Sequence, residues 1–161
     1  MTFAARVYVN TGETEGYILS KPWNGGGEYN YRLMYKTNGT INFFVDGSGA
    51  GSSIETPVTR EVRTHIVGTV DGYLLKMYKD GVLVKTGAHG ITNWTPNLGN
   101  IDKQLSIGTL YPYGATSSFP GGDGEPSFSF SGRVDDVRIY NRALHISEVQ
   151  KLYAATNQYT T

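Results

Sequence analysis

Short runs of alternating apolar and polar residues make up most of the chain, and turn residues separate them. Before Asn38-Gly39, the odd-numbered residues from 31 to 35 are apolar or aromatic, and the even-numbered ones are Arg32, Met34 and Lys36. After that dipeptide, apolar residues recur at 41, 43 and 45. Side chains alternate between the two faces of a strand, and Asn-Gly is a strong hairpin signal. The pattern therefore predicts a β-hairpin with one apolar face.

The same alternation predicts strands along the rest of the chain, with tight turns at Asp71-Gly72 and Asp80-Gly81. The predicted strands are Phe3–Asn10, Tyr17–Lys21, Tyr29–Lys36, a strand through Ile41, Phe43 and Val45, Val62–Asp71, Tyr73–Asp80, Val82–Thr86, Gln104–Leu110 and Ser127–Tyr140. Small residues, glycine and proline predict irregular segments at Gly47–Ser53, Gly87–Lys103 and Tyr111–Pro126.

One helix is predicted near the carboxyl end of the chain, at about His145–Ala155. Its apolar stripe consists of Ile146, Val149, Leu152 and Tyr153, at helical spacing. If His145 is the N-cap, Glu148 occupies the third helical position, where its carboxylate completes half of a capping box.

Composition agrees with an all-β protein. The 161 residues include 21 glycines and 12 tyrosines, and only 17% are charged. We therefore predict a single domain over residues 1–161, a two-sheet antiparallel β-sandwich with one short C-terminal helix. The 14 basic and 14 acidic side chains cancel, which argues against nucleic acid as a partner. There is no cysteine, and no apolar run approaches the ~20 residues of a membrane span.

Two stretches resemble a known family. The first comprises HIVGTVDG (65–72) and LKMYKDGVLV (75–84), and the second comprises GRVDDVRIYNRAL (132–144) and SEVQKLY (147–153). Together they resemble the laminin-G-like, concanavalin A-like lectin/glucanase domains over about residues 3–155. The resemblance implies a jelly-roll sandwich that binds carbohydrate or protein as an appended module, often with calcium.

The chain departs from that family pattern at three points. The family usually has a strand about twenty residues before the position of Phe3, and we expect its absence to leave a sheet edge open to strand donation or self-association. Arg63 stands where the family commonly has tryptophan, and His145 stands where the helix cap is usually serine.

The sequence predicts no catalytic residues. Glucanases of the family place acid and nucleophile on one strand, as Glu-x-Asp-x-Glu or Glu-x-Asp-x-x-Glu, so that both side chains face one cleft. Neither spacing occurs in this chain.

Asp135 is the most informative carboxylate for predicting a metal site. It is in phase with Val137 and Ile139, which predicts a position on an apolar face of its strand, where a charge needs a cation, a cap or a metal. One interpretation is a structural partner such as Arg142 or backbone N–H groups. The other is calcium, with Asp123 and Glu125 supplying further oxygen ligands. Asp46 and Asp102 are weaker calcium candidates.

Aromatic residues in loops are the candidates for binding sugar, because an aromatic ring stacks on the C–H face of a pyranose while amides bond its hydroxyls. The candidate ligand-binding residues are Trp23, Asn24, Trp94, Asn97, Tyr111 and Tyr113. The alternative is that these aromatics fold inward over the ends of the sandwich.

The sequence thus favours a non-catalytic, lectin-like or adhesive module. Its expected partner is a glycan or a cell-surface or virion protein, and its expected location is extracellular or on a virion surface. The alternative is a structural or assembly protein, such as a phage virion or tail-fibre decoration domain. A glycan hydrolase is the third hypothesis.

Overall fold

The computed structural model describes residues 1–22, 29–47, 50–89, 105–109 and 128–157. In these ranges the elements, in chain order, are β1 (Thr2–Val9), β2 (Gly16–Pro22), β3 (Tyr29–Tyr35), β4 (Thr40–Gly47), β5 (Ala50–Pro57), β6 (Thr64–Asp71), β7 (Leu74–Lys79), β8 (Val82–Ala88), β9 (Ser106–Ile107), β10 (Gly132–Tyr140) and α1 (Ile146–Asn157). The described part of the chain holds no helix with the length and apolar character to cross a membrane.

The strands form two antiparallel sheets. Sheet A has the order β10-β1-β6-β7-β8, and sheet B has the order β5-β4-β3-β2-β9. The hairpin predicted at Asn38-Gly39 joins β3 to β4, and Gly39 adopts a φ of 81°, which glycine tolerates because it has no Cβ. The predicted all-β sandwich with a C-terminal helix is confirmed.

The apolar faces of the two sheets meet in one core. Phe3 of sheet A packs against Tyr31 and Phe43 of sheet B, with ring centroids 4.3 and 5.7 Å apart. Gly68 of β6 allows this approach, since a Cβ there would lie 2.7 Å from the ring of Phe43. Inward positions on both sheets are thus occupied by side chains of the core, and each sheet has one outer face left over.

Helix α1 covers the outer face of sheet A. Leu144 and Val149 pack with Ala4, Val67 and Tyr78 of the sheet in a second apolar cluster. The start of β1 is tied to the segment that enters the helix. The hydroxyl of Thr2 donates to the carbonyl of Arg142 at 2.8 Å and accepts the N–H of Leu144 at 2.9 Å.

The predicted capping box is present at the helix start. The carboxylate of Glu148 accepts the backbone N–H of His145 at 2.9 Å, and Nδ1 of His145 accepts the backbone N–H of Ser147 at 3.3 Å. The guanidinium of Arg142 binds both carboxylate oxygens of Glu148, at 2.6 and 2.7 Å, and this pair lowers the pKa of Glu148 to about 2.

One predicted loop is a strand. Gly47–Ser53 overlaps β5, which pairs with β4 from Thr40↔Pro57 to Gly47↔Ala50. Small residues do not exclude a strand at a sheet edge, and here they fit because Ile54 supplies the inward apolar side chain.

Candidate functional site

The outer face of sheet B combines polar side chains with a small apolar cluster of Tyr17, Met34 and Phe44. We call it the polar–aromatic face, and it comprises Tyr17, Arg32, Met34, Asn42, Phe44 and Asp46. The even-numbered positions of β3 and β4 point away from the core because the odd-numbered ones are inside it. The middle of this face is buried, while Arg32 and Phe44 are partly exposed.

Arg32 lies between two aromatic rings. Its guanidinium carbon is 4.7 Å from the ring centroid of Phe44 and 6.0 Å from that of Tyr17. Register explains the first contact, since Arg32 of β3 stands opposite Phe44 of β4. Tyr17 in turn meets Phe128 edge to face, with centroids 5.9 Å apart. The rings fix the guanidinium plane and favour its charge through their negative faces.

Gly51 makes room for the ring of Phe44. A Cβ at Gly51 would lie 2.3 and 2.4 Å from two ring atoms of Phe44. The ring therefore lies over the backbone of β5, and Gly51 and the neighbouring Ser53 are exposed beside it. This flank gives access to the polar–aromatic face from the β5 side.

The side chain of Asn42, at the centre of the face, has an unsatisfied hydrogen-bond acceptor. The residue is 4% exposed, and its Oδ1 has no hydrogen-bond donor among the described residues. Buried side-chain oxygens nearly always have a partner, so one without a partner indicates a position where something else donates. A sugar hydroxyl or N–H group is such a donor.

The far end of the same face is closed by an ion pair. The ammonium of Lys36 lies 3.3 Å from the carboxylate of Glu55, and the side-chain amide of Asn38 donates to the same carboxylate at 3.3 Å. The polar–aromatic face therefore presents the guanidinium of Arg32, the partly exposed ring of Phe44, the carboxylate of Asp46 and the buried amide oxygen of Asn42. A guanidinium beside an aromatic ring can bind a carboxylate.

The predicted sugar-binding residues lie outside the described part of the chain. They are Trp23, Asn24, Trp94, Asn97, Tyr111 and Tyr113, together with the calcium candidates Asp102, Asp123 and Glu125. These assignments, and calcium itself, stay predictions. In the described ranges no three His, Cys, Asp or Glu residues are grouped as a metal site.

Asp135 is not on an apolar face, so that prediction was wrong. Its side chain is 51% exposed and lies 3.3 Å from the guanidinium of Arg63. The cation predicted as its structural partner was Arg142, which binds Glu148 instead. Asp135 is thus a surface carboxylate in an ion pair.

A β-bulge explains why the phase of Asp135 was misread. Asp136 and Val137 of β10 stand opposite the single residue Ala5 of β1, and Asp136 has a φ of 51°. The extra residue shifts the alternation by one position, so Val137 packs against the core while Asp135 points outward.

The sequence contained a signal for the site that loop-based reasoning passed over. Once the hairpin at Asn38-Gly39 is accepted, Arg32 and Phe44 fall opposite each other on the outer face. An arginine and a phenylalanine paired on a solvent-side face are informative because such faces are normally polar throughout.

The fold has counterparts of known structure. The CBM40 of the Ruminococcus gnavus IT-sialidase, solved bound to alpha2,3 sialyllactose, matches 96% of this chain and 81% of its own length, with TM-score 0.69 and 16% identity. A Trypanosoma rangeli sialidase mutant matches 99% of this chain and 23% of its own, with TM-score 0.65 and 21% identity. A SAP-like pentraxin from Limulus polyphemus matches 94% and 68%, with TM-score 0.60 and 20% identity.

These structures share the fold with this chain. No curated protein matches the sequence. A family model, Laminin_G_3, matches residues 1–150, which include both motifs that carried the resemblance up to residue 150. The chain therefore belongs to the concanavalin A-like lectin/glucanase superfamily.

Proposed function

We propose that this chain is a non-catalytic carbohydrate-binding domain that binds an acidic glycan on the polar–aromatic face. The observation that carries the proposal is the arrangement of Arg32 against Phe44, beside the buried Oδ1 of Asn42 that lacks a donor. A guanidinium held by rings suits a sugar carboxylate, and the amide oxygen suits a neighbouring hydroxyl. The CBM40 module of similar fold was solved with alpha2,3 sialyllactose.

The carboxylates of this face support binding without catalysis. Glycosidases hold their two carboxyl groups roughly 5 to 9.5 Å apart. Asp46 stands four positions along β4 from Asn42, and Glu55 is the register partner of Asn42. The two acidic residues are therefore separated by about 13 Å along the strands. That spacing is too wide for an acid and a nucleophile or base to act on one glycosidic bond.

The test is calorimetric titration with 3′-sialyllactose and, in parallel, lactose, which lacks the acidic sugar. We expect the wild-type domain to bind sialyllactose at least tenfold more tightly than lactose. Arg32→Gln should lose about tenfold or more in affinity for sialyllactose, because a charge-assisted hydrogen bond contributes roughly 1.5–3 kcal/mol. The ratio of the affinities for sialyllactose and lactose should be smaller in this variant than in the wild type.

The chain offers a matched control on the opposite face. Arg133 also lies over an aromatic ring, with its guanidinium carbon 5.3 Å from the centroid of Tyr8, on the outer side of sheet A. Arg133→Gln should leave the affinity unchanged. Equal losses in Arg32→Gln and Arg133→Gln, or no binding by the folded wild-type domain, would contradict the proposal.

Asn42→Leu separates binding from folding. Leucine has a similar size and leaves no cavity, and replacing a buried oxygen that has no donor breaks no hydrogen bond, so the free energy of unfolding should change little. The affinity for sialyllactose should nevertheless fall several-fold. An unchanged affinity with an unchanged melting temperature would show that Asn42 does not meet the ligand.

A further inference from the structure

The described strands leave four sheet edges, and they differ in how they are protected. β10 and β8 are the edges of sheet A, while β5 and β9 are the edges of sheet B. Open edges invite pairing with another chain, and proteins normally block them with charges, proline, bulges or very short strands. β9 has two residues, and β5 ends in Glu-Thr-Pro.

β10 is strongly protected against further pairing. It carries four charged residues in nine and a bulge at Asp136. The charged residues are Arg133, Asp135, Asp136 and Arg138, and three of them form ion pairs with residues of sheet A or its flank. A strand added to this edge would have to displace those pairs.

β8 also has a bulge, but its first three residues carry no charge. Val82, Leu83 and Val84 follow one another with 62, 42 and 38% of their surfaces exposed. The only charged residue in the strand is Lys85. A bulge lies at Val84, since Met77↔Lys85 and Tyr78↔Leu83 leave it without a partner in β7. Three consecutive exposed apolar residues at an open edge are a site for strand pairing.

We propose that β8 pairs antiparallel with β8 of a second copy of this chain, about a twofold axis at Leu83. In that register Leu83 faces its own copy, and Val82 faces Val84 of the second copy. Lys85 then stands opposite Gly81, so the two lysines are about 13 Å apart along the strands. A register centred on Lys85 would instead oppose like charges, which is destabilising. Self-complementarity of the apolar residues and separation of the lysines select the second copy as the occupant.

The bulge limits the strength of this contact. It disturbs the ladder at Val84, so the regular pairing between the two copies is short. The association should therefore depend on concentration, with monomer dominant in dilute solution. Sedimentation velocity over a hundredfold range of concentration should show the average mass rising toward that of two chains. Leu83→Lys should abolish the rise, and Val62→Lys, at another exposed apolar residue, should not.

Single cysteine variants test the register, because the chain has no cysteine of its own. Under mild oxidation, Leu83→Cys should form a disulfide-linked dimer at least tenfold faster than Val62→Cys or Lys85→Cys. Leu83 and Lys85 are both exposed, so these variants should melt like the wild type. Equal rates for Leu83→Cys and Val62→Cys, fastest linkage at position 85, or a constant monomer mass would each overturn the proposal. Sugar binding is measured on the monomer in dilute solution, so the result of that test does not depend on whether β8 pairs with a second copy.

Discussion

The outer faces of the two sheets belong to the same sandwich but differ in how their polar groups are satisfied. On sheet A, helix α1 covers an apolar cluster, and the hydroxyl of Thr2 satisfies the carbonyl of Arg142 and the N–H of Leu144. On sheet B, a guanidinium lies between rings, and the buried Oδ1 of Asn42 has no donor among the described residues.

The two outer faces should therefore contribute to different properties of the domain, one to its stability and the other to ligand binding. A polar group that is already paired inside the protein, such as the hydroxyl of Thr2, gains little from a ligand. A face with an unpaired buried oxygen becomes more favourable when a donor arrives. We therefore expect changes on the helix side to alter the free energy of unfolding, and changes on the polar–aromatic face to alter affinity.

The largest expected effect is loss of stability on the helix side. Leu144 is 5% exposed and packs in the cluster beneath α1. Leu144→Ala should lower the free energy of unfolding by about 3 kcal/mol, from lost burial and the cavity that remains. Urea denaturation measures the change, and Ile146→Ala at the exposed start of the helix is the control. Affinity for sialyllactose should be unchanged while the protein is folded. A loss of affinity would contradict the claim that the helix side contributes to stability and not to binding.

The free energy of unfolding should also depend on pH, by a similar amount, because His65 is buried beneath the same helix. His65 is 3% exposed and stacks on Tyr153 of α1, with ring centroids 6.0 Å apart. Burial lowers the pKa of His65 from 6.5 to about 4. The charged groups that face it are Asp80, Asp136, Arg138 and Arg6. The unfolded chain binds this proton at a higher pH than the native chain, so stability is full above pH 6.5 and falls as the pH drops toward 4.

The total loss from this group should be about 3 kcal/mol. His65→Phe keeps an aromatic ring against Tyr153 and removes the titration. Urea denaturation at several pH values between 7 and 4 should show a shallower decline for the variant than for the wild type. Parallel declines would mean that the burial of His65 does not oppose its protonation.

A smaller effect, confined to the other face, should follow from Gly51→Ala. The new Cβ would clash with the ring of Phe44, which must turn away from β5 and lose its contact with Arg32. We expect the affinity for sialyllactose to fall about tenfold, while stability drops by only about 1 kcal/mol, since the site is partly open. Ser53→Ala, on the same strand opposite Phe44, is the control. An unchanged affinity would show that the ring of Phe44 does not contribute to binding.

The smallest effect should come from Glu148→Gln at the helix start. The wild-type carboxylate has a pKa of about 2 because Arg142 binds it, so its contribution is complete above pH 4.5 and is lost as the pH falls through 2. The variant should melt slightly below the wild type at pH 7, and the difference should vanish toward pH 2. Circular dichroism measures both, and Lys151→Gln on the same helix is the control. A difference that persists at pH 2 would contradict the assignment.

The sequence predicted elements whose signals are local. The hairpin at Asn38-Gly39 and the capping box of His145 and Glu148 are both present, because turn and cap chemistry depend on neighbouring residues. The bulge at Asp136 was not predicted, since no glycine marks it, and it reversed the interpretation of Asp135. The orphan Oδ1 of Asn42 depends on what packs around it in three dimensions, which no spacing along the chain reveals.

Chemical-shift mapping by NMR tests the central claim most directly. A labelled wild-type domain would be titrated with 3′-sialyllactose, with lactose as the reference. We expect the largest sialyllactose-specific shifts on the backbone amides of β3, β4 and β5, around Arg32, Asn42 and Phe44. Shifts concentrated on β1, β6 or α1, or identical shifts with lactose, would contradict the assignment of the polar–aromatic face as the site for an acidic sugar.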